Sequence, residues 1–126
     1  MGAARVFLLL GAVYGLLGVA CGAFGAHALR ARLTPEMLAV YHTGVEYQFY
    51  HALALLAVGV LCTVRPGPGL GLAGWCFAAG VLLFSGSLYL LALTGTRWLG
   101  AITPVGGLLF LLGWGALIWA QARAGR

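Results

Sequence analysis

The chain has 126 residues, of which 63% are hydrophobic and 7% charged, and its net charge is +5. A soluble domain carries roughly 25% charged residues, so the composition excludes one and describes a membrane protein filled by transmembrane segments. All seven basic residues are arginines placed at segment ends rather than in a run, a pattern of interfacial anchors that excludes a nucleic-acid-binding surface.

A hydrocarbon layer of about 30 Å needs about 20 apolar residues per helix. Four such stretches recur, near residues 6–27, 46–64, 71–93 and 99–120. Backbone groups in lipid must pair within their own segment, so each stretch is predicted as an α-helix. The expected fold is all-α: a polytopic membrane protein whose four transmembrane helices form an antiparallel bundle, one domain over residues 1–126.

The first span begins with a basic residue and an apolar run, as a signal peptide does. Gly18 stands three residues before Cys21, where a lipoprotein site needs leucine, and the apolar run continues past the cysteine to Ala26. An uncleaved span is therefore expected. Its glycines, Gly11, Gly15, Gly18, Gly22 and Gly25, keep within roughly 80° of one helix face at 100° per residue. Such a bare stripe lets another helix approach closely in lipid, so these residues are predicted to pack against a neighbour.

In the first connection Thr34 and Pro35 have the form of an N-cap followed by proline at the first helical position. Met37, Leu38, Tyr41 and Val45 then share a stripe, which predicts a short interfacial helix between the first and second spans, the chain turning inward at Gly44. The stretch "HTGVEYQFYH", residues 42–51, brings two histidines, a glutamate, a glutamine and two tyrosines into the mouth of the second span. His42, Glu46, Phe49 and Tyr50 fall on one helix face, and Gln48 and His51 on the other.

"RPGPG" and "TGTRW" signal short turns before the third and fourth spans. Ser85 and Ser87 lie mid-span, where hydroxyls bond back to their own helix or across to another. Thr103 and Pro104 either start the fourth helix or kink it, and Gly100 with Gly107, and Gly106 with Gly113, repeat the glycine spacing less regularly. Cys21, Cys62 and Cys76 lie in apolar runs without a CxxC pair and are expected to be core residues.

With four spans the termini share a side. His27, His42, His51, Glu36, Glu46, Gln48 and Arg97 then belong to the side of the first and third loops. The small arginine excess at the termini and second loop predicts cytoplasmic termini. His27, His42, Glu46, Tyr47, Gln48, His51 and Arg97 are the candidate ligand-binding or polar cluster. Three functional readings compete with a structural one: a lipid-soluble ligand such as a quinone or lipid, haem held by His27 and His51, or a proton relay through Glu46 and the histidines. No HExxH pattern is present and no serine has a histidine and acid at matched depth, so no metal site and no catalytic residue is predicted. A non-enzymatic assembly protein without a cofactor is the expected function. Its expected partners are membrane lipids and either further copies or a larger membrane complex.

The segments "GAFGAHAL", "TGVEYQFYHALALL", "FSGSLYLLALTG" and "GAITPVGGLLFLLGW", in this order over nearly the whole chain, resemble the domain of unknown function 423 family, which includes the transmembrane protein 256-like proteins. The resemblance implies a small four-helix protein of the bacterial inner membrane, with a mitochondrial association in some eukaryotic relatives, and no known reaction. The matching polar positions are His27, Glu46, Tyr47, Gln48, His51, Ser85, Ser87 and Thr103, with Gly86 and Pro104 beside them.

Overall fold

A computed structural model describes residues 2–126. Helix α1, Ala3–Phe24, continues into a π-helical turn, Gly25–Leu29. Helix α2 covers Pro35–Val64 and α3 covers Pro68–Thr94. A 3-10 turn, Arg97–Ala101, leads into α4, Thr103–Ala124. All four helices are long and apolar enough to cross a membrane.

Local sequence accounts for the helix ends. The Thr34 side chain accepts a hydrogen bond from the Met37 backbone N–H at 3.2 Å, with Pro35 opening the helix. Helix α3 starts at Pro68 and stops at Gly95, whose φ of 71° is left-handed and suits glycine. Thr103 and Pro104 open α4 rather than kink it.

The expected interfacial helix is corrected. The helix that starts at Pro35 does not end at Gly44; those residues are the first turns of a single 30-residue α2. Gly44 serves close packing instead of a turn. Its carbonyl accepts the Ser85 hydroxyl at 2.7 Å, and a Cβ there would meet the Tyr89 ring at 2.8 Å. At 1.5 Å per residue α2 is about 45 Å long, more than a hydrocarbon layer of about 30 Å requires of a perpendicular helix.

Helices α2 and α3 form the central pair, α1 packs on α2, α4 packs on α3, and α1 and α4 are not packed on each other. Buried residues make up 44% and 50% of the apolar windows of α2 and α3, against 22% in each of α1 and α4. The main core gathers Phe7, Leu55, Val58 and Phe77, all fully buried. A smaller cluster of Leu29, Tyr41, Val45 and Ala92 closes the end nearer the first and third loops.

The α1 glycines face α2 unequally. A Cβ at Gly11 would meet the Ala52 carbonyl oxygen at 2.9 Å, one at Gly18 the Phe49 ring at 3.1 Å, and one at Gly25 the Tyr41 ring at 2.5 Å. Gly22 has only the Val45 side chain at 3.5 Å, and Gly15 has nothing within 4 Å. Gly18→Leu is therefore expected to lower the thermal midpoint of the detergent-solubilised protein, at a cost of about 2 kcal/mol from overpacking, while Gly15→Leu leaves it unchanged. Equal midpoints for the two variants would contradict this reading of the contact.

Candidate functional site

The polar cluster expected at one end of the bundle divides in two. His27, His42, Glu46 and Arg97 are exposed, whereas Gln48 and His51 are buried. The cause is the helical period. Glu46 and His51, five residues apart, differ by about 140° around α2. His42, Glu46 and Tyr50 lie on the outward stripe that continues through Leu53 and Val60, so Glu46 and His51 do not meet. His51 is also deeper than a span mouth. It stands about 20 Å along the helix from Val64, inside a layer of about 30 Å.

At that depth His51 is fully engaged. Its Nδ1 lies 2.7 Å from the Tyr47 carbonyl oxygen. A carbonyl only accepts, so Nδ1 carries the proton and the lone pair belongs to Nε2, which receives the Trp114 indole N–H at 3.1 Å. The ring is neutral and its tautomer is set by two neighbours. It stacks on Phe110 with centroids 3.6 Å apart and planes 7° from parallel, with Phe77 on another side at 5.4 Å. The nitrogen that a haem iron would take already holds a hydrogen bond from α4.

Gln48 is the second buried centre. Its Nε2 donates to the Tyr14 carbonyl of α1 at 2.8 Å, and its Oε1 accepts from the Tyr89 hydroxyl of α3 at 2.6 Å. The amide orientation follows from chemistry, because the carbonyl needs a donor. The Tyr14 hydroxyl in turn donates to the Ala78 carbonyl of α3 at 2.7 Å. One α2 side chain thus links both of its neighbours. Tyr41 extends the pattern toward the loops, donating to the Cys21 carbonyl at 2.5 Å. Ser87 donates to the Phe84 carbonyl at 2.8 Å and lies 2.6 Å from the Thr103 hydroxyl, tying α3 to the start of α4.

Among the described residues no buried side-chain nitrogen or oxygen lacks a partner. Nor, among them, do three or more His, Cys, Asp or Glu side chains gather where they could hold a metal ion. A groove of about 590 Å³ runs beside Tyr47, His51, Phe84 and Trp114 toward the lipid. Tyr14, Tyr89, Phe110 and Trp114 complete these networks but were not among the residues predicted from the sequence. Tyr14 falls between Gly11 and Gly18 on the packing stripe, and Tyr89, Phe110 and Trp114 lie inside the motifs that carry the family resemblance, without a pattern that marks them as partners of Gln48 or His51.

The family described as "Protein of unknown function (DUF423)" has a model that matches residues 21–107. The chain is 47% identical to the UPF0382 membrane protein YwdK of Bacillus subtilis, over 94% of this chain and 98% of that protein. It is also 47% identical to the UPF0382 membrane protein SH2409 of Staphylococcus haemolyticus, over 90% of this chain and 93% of the relative. No solved structure matches it. Bacterial relatives named as membrane proteins, together with four apolar helices, place the chain in the cell membrane. The ordered motifs, the matched family model and the near full-length relatives agree: this chain is a member of the DUF423 family of uncharacterised membrane proteins.

Proposed function

We propose that the protein is a non-enzymatic assembly protein, a rigid helical unit that acts by presenting the outward faces of α1 and α4 to further copies or to a larger membrane complex. The observation that carries this reading is the internal closure of the polar core. The groups that looked reactive in the sequence, Gln48 and His51, spend their hydrogen bonds on Tyr14, Tyr89, Tyr47 and Trp114. Such closure fixes the helices relative to one another, as satisfied buried networks do. The outer helices keep large apolar side chains on their free faces, Leu16 and Val19 on α1 and Leu111 and Ile118 on α4. A contiguous apolar face suits contact with other transmembrane helices as well as lipid.

The test is a photo-crosslinking residue placed at Leu16 or Leu111, with gently solubilised protein weighed intact. A specific crosslinked band from at least one position and a mass above the single chain are expected. The purified protein is expected to be colourless, and His51→Gln to keep its fold. A strictly single-chain mass without crosslinks from either position would overturn the reading.

A second reading has one observation in its favour, the aromatic-lined groove beside Tyr47 and His51. A lipid-soluble ring such as a quinone lying there would stack on Tyr47 or Phe84. Stoichiometric quinone in an organic extract of the same preparation, or a haem absorption band, would favour a redox role over assembly.

A further inference from the structure

The end of the bundle that carries both termini and the second loop has a different chemistry. A cavity of about 630 Å³ opens there between the end of α2, the start of α3 and the end of α4. This lies within the ~300–1,000 Å³ range of small-molecule sites. Its floor is apolar, formed by Leu61, Leu70, Trp119 and Ala120, and Arg65 and Arg123 stand on its wall.

Both guanidinium groups are held in place. Arg65 donates to the Ala124 carbonyl, which the end of α4 leaves without a helical partner. Arg123 lies over the Trp119 ring, 5.0 Å from its centroid. The Trp119 ring is itself seated on Gly69, where a Cβ would meet it at 2.8 Å. A guanidinium has five N–H donors, so each arginine keeps donors free beyond these contacts. No acidic side chain balances them, because the two acids of the chain, Glu36 and Glu46, lie in the opposite half of α2.

Trp119 also lines a second groove, of about 420 Å³, that follows α4 past Gly115 to Leu108 beside Leu72 of α3. From Trp119 to Leu108 is about 16 Å along the helix, about half of a 30 Å hydrocarbon layer. A cationic recess at the end of the bundle, with an apolar groove one leaflet long on the other side of the shared residue Trp119, matches a molecule with an anionic head and a long acyl chain.

We infer that this end of the bundle is a binding site for an anionic phospholipid, its phosphate held between Arg65 and Arg123 and an acyl chain lying in the α3–α4 groove. Arginine suits this task because its planar fork meets phosphate oxygens with paired, charge-assisted hydrogen bonds. The headgroup recess lies apart from the buried polar core, whereas Leu111 both lines the acyl groove and serves as a crosslinking position, so Leu16 on α1 is the position that tests assembly separately from lipid binding.

The experiment is native mass spectrometry of protein exchanged from detergent containing equal amounts of phosphatidylglycerol and phosphatidylcholine. The wild type is expected to retain one phosphatidylglycerol in preference to phosphatidylcholine. Arg123→Gln, and the double variant with Arg65→Gln, are expected to lower that retention roughly tenfold or more, as loss of one charge-assisted contact implies. Arg5→Gln, which removes an arginine from the same end but outside the cavity, is expected to change nothing. Gly115→Leu fills the apolar groove at a position where a Cβ meets nothing within 4 Å, and is expected to weaken retention without disturbing the fold. Equal retention of the two lipids, or equal loss in Arg5→Gln and Arg123→Gln, would reduce the arginines to general anchors and overturn the site. Unchanged retention in Gly115→Leu, with displacement of the lipid by glycerol phosphate alone, would overturn the acyl groove and leave an anion site.

Discussion

Gly106→Leu is expected to separate α4 from α3 and to abolish a stable, monodisperse protein in detergent. A Cβ at this position falls on the backbone nitrogen of Phe84, with the Phe84 Cα at 2.8 Å. A side chain in the way can change rotamer, whereas a helix backbone can yield only by moving the helix. Forced separation also withdraws Phe110 from its place against Gly80 and loosens the stack of Phe110 on His51. The cost is at the upper end of the overpacking range, about 3 kcal/mol or more, a large part of the stability of an ordinary domain. Gly107 provides the comparison, because the nearest atom to its Cβ position is the Phe84 Cδ2 at 4.0 Å. Size-exclusion profiles and thermal midpoints should therefore collapse for Gly106→Leu and stay near wild type for Gly107→Leu. Equal behaviour of the two would show that the α3–α4 contact is not at backbone range.

Gln48→Leu is expected to be the most damaging change at a polar position. The substitution keeps the approximate volume but removes both hydrogen bonds that link α1 and α3 through α2. The Tyr89 hydroxyl is then left unpaired in a low-dielectric interior, while the Tyr14 carbonyl keeps its own helical bond within α1, and an orphaned buried group costs about 1–3 kcal/mol. The unfolded reference state in a membrane finds partners too, which trims the net effect toward the lower end. A loss of roughly 2 kcal/mol is the expected outcome. Combining it with Tyr89→Phe should cost less than the sum of the single changes, because the orphaned hydroxyl is then gone. Strict additivity in that double-mutant cycle would mean that the two side chains do not interact.

These two residues also mark what the sequence could disclose. Four long apolar stretches make four spanning helices almost unavoidable, since lipid forbids an unpaired backbone. The period of the helix alone separates Gln48 and His51 from the face of Glu46, and the burial of the folded bundle shows that theirs is the inward one. Their partners were another matter, because those come from other helices. Gly44 looked like a break, and nothing local distinguishes a glycine that turns the chain from one that admits the Tyr89 ring. With α2 unbroken from Pro35, the helical period carries through Gly44 and the one-sided cluster separates into exposed and buried parts. In the same way Gly106 and Gly107 are indistinguishable by type or spacing, and only the position of Phe84 separates them. The partners Tyr89 and Trp114 lie 41 and 63 residues from Gln48 and His51, far outside the range that periodicity can read.

Those long separations have a consequence for the order in which the chain is made. When α2 leaves the ribosome, the Tyr14 carbonyl that Gln48 needs is already present, 34 residues behind it. The Tyr89 hydroxyl and the Trp114 indole have not yet been synthesised. Helix α2 therefore enters the bilayer with half of the Gln48 amide and the Nε2 of His51 unserved. Each debt is settled by a later helix, first α3 and then α4. The last helix to arrive is thus the one that completes the first polar commitments of the chain, so a product truncated before Trp114 would leave the Nε2 of His51 without its donor.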